Sequence, residues 1–327
     1  MKIKIAINGF GRIGRLTLRA LMESKYSNLE VIAVNDIGDL DSNIHLLKYD
    51  SVHGIIKQKI TKEENSFIFD NKKIKFFSER DPKNLPWKKL DIDLVIESTG
   101  IFTDRNKAQM HIDAGCKKVL ISAPSNDPDI TVVYGVNHTK INNNHKIISN
   151  GSCTTNCLTP VAFLLDNMLG IESGYMTTVH SVTGDQTTID TFHKDLRRAR
   201  NASLSMIPTS TGAAKAVAKV LPNLDGKLDG SAIRVPTANV SLIDFCFQSK
   251  KQTTKDEINE FLTKASQNNF KNILQVASDP LVSCDFNHNH HSSIIDKNET
   301  KVTNKTFCRV LSWYDNEWGF SNRLLDV

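Results

Sequence analysis

No stretch of the chain approaches the ~18 consecutive apolar residues that a membrane-crossing helix needs, and the longest runs are of the kind seen from Val161 to Leu165. The expectation is a protein that does not span a membrane. The six cysteines, Cys116, Cys153, Cys157, Cys246, Cys284 and Cys308, include no CxxC pair, which argues against a zinc ribbon and for free thiols in a reducing compartment. A GxxxxGK[ST] sequence is missing, so a P-loop ATPase is excluded. With 16 Gly and 9 Pro, 39% hydrophobic and 24% charged residues, the chain is neither collagenous nor disordered. Neither sign of charge dominates: 41 Lys and Arg against 36 Asp and Glu give +5, too mild to call for a nucleic-acid partner. The first residues alternate Ile3, Ile5, Ile7 before a glycine cluster, unlike a secretory signal, and the expected location is cytoplasmic. The six Asn-x-Ser/Thr sequons, at Asn137, Asn150, Asn201, Asn239, Asn298 and Asn304, are then chance occurrences.

At 327 residues the chain is long for one core, and roughly 150 residues per domain suggests two. Up to Ser149, short apolar runs (Lys2 to Asn8, Glu30 to Asn35, Leu94 to Glu97, Lys118 to Ile121, Ile130 to Tyr134, Ile147 to Ser149) alternate with helical patterns. A β-rich stretch over Ile55 to Thr61, Ser66 to Phe69 and Ile74 to Phe77 interrupts them. This alternation predicts an α/β fold with a doubly wound parallel sheet. Beyond Cys153 a helix over Thr154 to Met168 is followed by longer strands, Tyr175 to Val182, Ser231 to Val235, Val240 to Gln248 and Phe307 to Trp313. Helices are expected over Ala213 to Val220 and Lys255 to Asn268, giving an α+β domain with a mixed, largely antiparallel sheet. No repeat, low-complexity tract or flexible linker separates the halves.

Gly9, Gly11 and Gly14 form a GxGxxG that follows a strand and opens a helix, and the second strand ends in Asp36. Glycines there admit a pyrophosphate to the backbone, the helix N-terminus favours its charge, and an acid at that distance accepts bonds from a ribose diol. A carboxylate repels a 2′-phosphate, so the reading is NAD rather than NADP. In Ser149-Asn150-Gly151-Ser152-Cys153-Thr154-Thr155-Asn156-Cys157, Cys153 stands in the first turn of a helix, where the macrodipole lowers a thiol's pKa. Its polar flanks mark a nucleophile, whereas Cys157 reads as a buried small hydrophobe. A nucleophile needs a base; His180 ends an alternating strand, but it is one of ten histidines.

These segments belong to a longer series: NGFGRIGR at 8–15, SCTTNC at 152–157, HSVTGDQ at 180–186, DLRRAR at 195–200, PTSTGAAKAV at 208–217, RVPT at 234–237 and WYDNEWGFSNR at 313–323. Together, in order and over essentially the whole chain, they resemble the phosphorylating glyceraldehyde-3-phosphate dehydrogenases. The resemblance implies a homotetramer whose subunits have a Rossmann NAD-binding domain over 1–151 and a catalytic domain over 152–315. A C-terminal helix over 316–327 then returns to the first domain. It implies NAD-dependent oxidation and phosphorylation of glyceraldehyde 3-phosphate, with inorganic phosphate as second substrate, in glycolysis and gluconeogenesis. Cys153 would attack the aldehyde and His180 take its proton. Gly9, Gly11, Arg12, Ile13, Gly14, Asp36, Arg80, Ser122 and Asn316 would bind the cofactor, Asn316 at the nicotinamide carboxamide. Thr183, Arg198 and Arg234 match the family's phosphate ligands, and Ser152, Thr154, Thr211 and Gly212 its inner phosphate site. Arg197 and Arg200 compete with Arg198 for that role. The stretch 187–204, after Asp185 and Gln186, resembles a loop that reaches a neighbouring subunit.

Some positions depart from the pattern. Gly151 replaces an alanine, Thr191-Phe192 replace a Leu-Pro pair that helps to exclude NADP, and the last helix is about two turns short by the ~3.6-residue count. The tract Phe286-Asn287-His288-Asn289-His290-His291 lacks the spacing of a metal site, and no metal is expected. Alternatives are an erythrose-4-phosphate dehydrogenase, which hydrolyses its thioester, and a nucleotide-responsive RNA-binding or scaffold protein using the basic run at 194–200. An obligate nucleic-acid partner is not expected.

Overall fold

The structure, a computed structural model, describes residues 2–327 and divides into two compact units. The first takes in the chain as far as Val132 together with Thr139–Gly151 and Ser321–Val327. Its sheet runs, edge to edge, Ile130–Thr131, Ile147–Ser149, Lys118–Ile121, Leu94–Glu97, Ile3–Asn8, Leu29–Asn35, Lys72–Phe77, Ser66–Phe69, Ile60–Glu63. The first seven pair in parallel and the last two antiparallel. Both faces of the central strands are covered, so Ile5, Ala6 and Ile7 are all buried and read as a continuous apolar run. Ile3–Asn8 has Leu29–Asn35 on one side and Leu94–Glu97 on the other. The strand order therefore reverses at this strand, which places a crevice at its carboxyl end.

The second unit holds Val133–His138 and Ser152–Phe320. Its sheet order is Ile207–Ser210, Leu228–Val235, Ile171–Ser181, Ser241–Ser249, Phe307–Tyr314, Ser293–Asp296, Leu274–Ala277, with Lys301–Thr303 also on Phe307–Tyr314. Among the described residues only Ile171–Ser181 with Leu228–Val235, and Leu274–Ala277 with Ser293–Asp296, pair in parallel in this sheet. Ser241–Ser249 alternates buried and half-buried residues along its length, as one covered face requires. Helix Cys153–Leu169 lays Cys157, Leu158, Val161 and Leu165 over Ile243, Phe245 and Phe247 in a common core. Truncating one of these leucines to alanine costs about 2–5 kcal/mol.

The mixed, two-sheet α/β architecture is as expected, with local differences. The strand expected over 130–134 stops at Thr131, because Val133 turns into the core of the second unit. Ile55–Thr61 breaks into a two-residue pairing at Gly54–Ile55 and a separate strand Ile60–Glu63. The strands Ile207–Ser210, Leu274–Ala277, Ser293–Asp296 and Lys301–Thr303 have no counterpart in the sequence reading. The final helix, Trp318–Asp326, changes unit between Phe320 and Ser321. Among the described residues no helix is long and apolar enough to cross a membrane.

Candidate active site

Gly9 ends the turn out of the first strand at φ +89°, and a Cβ there would lie 2.6 Å from the Thr99 nitrogen. At Gly14 a Cβ would lie 2.2 Å from the Gly9 carbonyl oxygen, so helix Arg12–Glu23 sits against the strand only because both positions lack side chains. Gly11, by contrast, opens onto clear space, and no side chain caps the helix start behind it. That combination of open backbone and uncapped helix N-terminus fits a pyrophosphate.

The cavity at this crevice is lined by Asn8, Gly9, Gly11, Asn35, Asp36, Ile37, Glu79, Arg80, Ser98, Thr99, Ile101 and Phe102. Asp36 accepts from Phe10 N at 2.7 Å and from Gly38 N at 2.8 Å, and each carboxylate oxygen keeps a further lone pair for a diol. Arg80 stands exposed at the lip. Arg12, Ile13, Gly14 and Ser122 are not among the lining residues. The Arg12 guanidinium is held by Asp50 at 2.5 Å, Gly14 is packed behind Gly9, and Ser122 continues the neighbouring strand by donating its N–H to the Glu97 carbonyl. Asn8, Asn35, Ile37, Glu79, Ser98, Thr99, Ile101 and Phe102 went unread in the sequence. Asn8, Asn35 and the residues after Glu97 end or directly follow parallel strands, and that position is the signal that could have found them.

In the second unit Cys153 is the first residue of its helix, with Ser152 as N-cap. Its Sγ lies 3.5 Å from His180 Nε2. The strand Ile171–Ser181 brings His180 there from 27 residues away and buries it, 3% exposed, with the Tyr314 ring edge-on. Three short contacts meet on the other side of the imidazole: Nδ1 to the Ser181 carbonyl at 2.7 Å, Nδ1 to Arg234 Nη1 at 2.6 Å, and Arg234 Nη1 to the Ser181 carbonyl at 3.0 Å. They cannot all be hydrogen bonds, since Nδ1 either donates to the carbonyl or accepts from the guanidinium. We assign the proton to Nδ1, because a carbonyl only accepts and Arg234 can donate to that same oxygen. The Nε2 lone pair then faces Cys153.

The expectation of a thiol lowered by the helix terminus needs correction. Burial pushes the Cys153 thiol up, and the nearby Arg234 guanidinium and the bonds from Thr154 only partly offset this. Burial, aided by Arg234, likewise pushes His180 down to about 3. Each charge is thus penalised when formed alone. Passing the proton from Sγ to Nε2 creates a thiolate and an imidazolium with no net charge, and each supplies the other's counter-ion. Cys157 and Cys116 are buried among apolar groups, which lifts both thiols to about 12, and Cys284 is exposed.

Asn316 is buried, and its Oδ1 accepts from Ser181 Oγ at 2.8 Å and Ser241 Oγ at 2.9 Å. The two hydroxyls fix the amide and leave its NH2 to donate. Asp315, beside it, accepts from Asn239 Nδ2 and from the backbone N–H groups of His288, Glu317 and Trp318, so the corner carrying Asn316 is rigid.

Among the candidate anion ligands, Arg234 has a buried Nε with no hydrogen-bond partner. Arg198 and Asp185 lie close enough to perturb it. Arg198 donates to Asp185 at 2.5 Å and to Thr209 Oγ1 at 3.0 Å, whereas Arg200 pairs with Asp190 and Arg197 is exposed. Of the three competing arginines, Arg198 is the one turned towards Arg234. The Thr183 hydroxyl and N–H both reach Gln186 Oε1. Thr211 and Gly212 form the start of helix Ala213–Val220, where the Thr211 hydroxyl accepts from Ala213 N. Ser152 Oγ is committed to capping Thr155 N at 3.1 Å. The Thr154 hydroxyl is turned into a buried network with Tyr314 and Thr178 rather than presented to the site. In the histidine tract His288 stacks on Trp318 with ring centroids 3.7 Å apart. Among the described residues no group of three or more His, Cys, Asp or Glu side chains is arranged to hold a metal ion.

Comparison with known proteins matches residues 152–316 to the glyceraldehyde 3-phosphate dehydrogenase C-terminal domain and residues 3–105 to the NAD binding domain of the same family. Proteins named glyceraldehyde-3-phosphate dehydrogenase from Xanthobacter flavus and Zymomonas mobilis are each 55% identical, over 327 and 329 aligned residues. One from Pseudomonas aeruginosa is 53% identical. Each match covers 100% of this chain and 97–98% of the relative. Both family models, together covering more than half of the chain, and relatives 55% identical over its full length agree, and the chain belongs to the glyceraldehyde 3-phosphate dehydrogenase family.

Proposed function

We propose that the protein oxidises and phosphorylates D-glyceraldehyde 3-phosphate with NAD, in the direction of 1,3-bisphosphoglycerate and back. The reading is supported most directly by the 3.5 Å approach of Cys153 Sγ to His180 Nε2 at a helix N-terminus beside Arg234. Cys153 Sγ adds to the aldehyde carbon as a thiolate, and the thiol proton, held on His180 Nε2, moves to the carbonyl oxygen to give a thiohemiacetal. His180 then removes that hydroxyl proton as the C–H bond breaks, and the Cys153 N–H supports the oxygen's charge. NAD supplies the hydride acceptor. What remains on Cys153 is a thioester; a phosphate oxygen adds to its carbon, the C–S bond breaks, and the acyl phosphate leaves with the thiolate regenerated. Arg234 and Arg198 serve the phosphate groups as charged donors, with Thr183 and Thr211 contributing hydroxyls and Ser152, Thr154 and Gly212 backbone N–H groups. By the family resemblance the Asn316 amide, fixed by Ser181 and Ser241, is the donor for the nicotinamide carboxamide; in the first unit Gly9, Gly11, Asp36 and Arg80 line the cavity read as the dinucleotide site, with the backbone of Arg12 and Ile13 at the helix start that follows.

Residues 1–151 are read as the NAD-binding domain, 152–315 as the catalytic domain and 316–327 as the returning helix. Ile189, Phe192, Leu196, Leu204 and Met206 are 69–104% exposed on one loop, which supports burial against further copies in a homotetramer. The cytoplasm is the compartment that suits six unpaired thiols.

Phosphate omission separates this reading from hydrolysis. Without phosphate, the protein should form about one NADH per active subunit in a burst and then turn over slowly, because an acyl-enzyme accumulates when its acceptor is withheld. Thr211→Val removes a hydroxyl at nearly constant volume, so the phosphate concentration needed for turnover should rise while the burst persists. Steady turnover without phosphate, with erythrose 4-phosphate preferred, would favour the hydrolytic relative.

Asp36→Ala should narrow the preference for NAD over NADP by roughly thirtyfold or more in kcat/KM, since a charge-assisted bond and a repulsion contribute ~1–3 kcal/mol each, together at least ~2 kcal/mol. An unchanged ratio would mean that another group reads the ribose.

A further inference from the structure

We propose that Glu97 and His111, neither of which lines the cofactor cavity, are positioning residues that hold its floor in the shape that binds NAD. The inference rests on the reading of that cavity as the NAD site. Glu97 and His111 are 1% and 0% exposed and belong to a hydrogen-bond network whose donor directions can be worked out from its two ends. At one end the Trp87 indole can only donate, and its Nε1 lies 3.1 Å from His111 Nδ1. Nδ1 is therefore the acceptor, the ring proton is on Nε2, and Nε2–H points at Glu97 Oε2 at 3.0 Å.

At the other end the Glu79 backbone N–H donates to Asn35 Oδ1 at 2.9 Å. Asn35 Nδ2 must then donate, reaching Asn8 Oδ1 at 2.7 Å, and Asn8 Nδ2 in turn donates to Glu97 Oε2 at 2.6 Å. The Thr99 N–H, at 2.8 Å, and the Thr99 hydroxyl donate to the other oxygen, Oε1. The 3.3 Å approach of Asn8 Nδ2 to His111 Nε2 brings two donors together and is a contact only. Four donors converge on Glu97: the Asn8 amide, the His111 Nε2–H and the Thr99 N–H can only donate, and the Thr99 hydroxyl, which itself accepts from the Ile101 N–H at 3.0 Å, turns its proton to Oε1. The set suits a carboxylate, whose two oxygens accept from all four, and the bonds compensate the burial of the group.

The groups so held are those that form the cavity. Asn8 precedes Gly9, Asn35 precedes Asp36, and Thr99 is the residue against which Gly9 has no room for a Cβ. Asn8, Asn35, Glu79 and Thr99 all line the cavity. Glu97 thus ties the carboxyl ends of three parallel strands, Ile3–Asn8, Leu29–Asn35 and Leu94–Glu97, at the point where the dinucleotide enters. A floor set before the ligand arrives lowers the ordering cost of binding.

Three near-isosteric changes separate this from simple packing. In His111→Gln the amide oxygen can accept from Trp87 and the amide nitrogen can donate to Glu97, while His111→Leu can do neither. In Glu97→Gln one oxygen becomes an NH2 group that must face a donor whichever way it turns. Measured by fluorescence titration, the dissociation constant for NAD should rise roughly tenfold or more in His111→Leu and Glu97→Gln, and stay within about threefold of the parent in His111→Gln. At saturating NAD, kcat and the rate of Cys153 alkylation should be unchanged in all three.

Parent-like affinity in Glu97→Gln overturns the proposal. So does His111→Gln binding no better than His111→Leu, because the ring would then matter only for packing. If His111→Leu is insoluble, the two glutamine variants still decide, since opposite results are expected of them. Asp36→Ala is the reference: affinity lost there but kept in Glu97→Gln sinks this inference alone. Affinity lost in Glu97→Gln but kept in Asp36→Ala supports the network and removes Asp36 from the ribose.

Discussion

Cys153→Ser should lower NADH formation by at least about 10⁴-fold, the scale on which removal of an activated nucleophile acts. A serine hydroxyl ionises far less readily than a thiol, and the site has only His180, already pushed down to about 3 by burial, to receive its proton. The oxygen ester that serine would form is also a poorer acyl donor than a thioester, so both halves of the reaction suffer. NAD affinity should be retained, because Gly9, Gly11 and Asp36 lie in the other compact unit. Stopped-flow absorbance for NADH, with fluorescence titration of NAD on the same sample, checks both. A variant that keeps its burst would remove Cys153 from the mechanism, and one that loses NAD binding as well would have misfolded.

His180→Asn is expected to cost about 10²–10⁴-fold in hydride transfer, the usual range for a general base. The more diagnostic result is a pH profile. In the parent, the Cys153 proton has His180 Nε2 as a partner at 3.5 Å. Without the imidazole, the thiolate must form alone, and burial, which pushes the thiol up, is opposed chiefly by Arg234. The midpoint for alkylation of Cys153 should therefore move to higher pH, with alkylation at pH 7 slowed. A midpoint equal to the parent's would show that the imidazole does not hold the thiol proton.

In the cofactor half of the molecule the glycine turn was legible because its chemistry is local, while most of the cavity lining was not. Gly9, Gly11 and Gly14 fall within one strand–turn–helix, and the steric reason for Gly9 and Gly14 is visible in the packing. Cys153 was legible for the same reason, as the first residue of a helix after a polar turn. His180 emerged from ten histidines only through resemblance, since its pairing with Cys153 depends on the register of a strand that packs from elsewhere in the chain. The contact of Arg234 with His180 was not foreseen; it arises because Leu228–Val235 pairs in parallel with Ile171–Ser181, placing Arg234 opposite His180. Nor could the sequence tell that the Thr154 hydroxyl turns towards Tyr314, or that two cavity-lining residues, Asn8 and Thr99, bond to Glu97 with Asn35 and Glu79 linked behind Asn8. The thiol was misjudged because a helix terminus can be read from sequence and desolvation cannot.

Ser181 touches both halves of the chemistry: its carbonyl meets His180 Nδ1, and its hydroxyl meets Asn316 Oδ1 alongside Ser241. One short residue is therefore a shared hinge pin for the acid–base group and the amide read as facing nicotinamide, and substitutions around it should not combine independently. In a double-mutant cycle, Ser181→Ala and Ser241→Ala should be epistatic, each mild while the other hydroxyl still orients the amide, and damaging together. Natural drift at positions 181 and 241 is then constrained as a pair, with either site able to vary only while its partner keeps a donor.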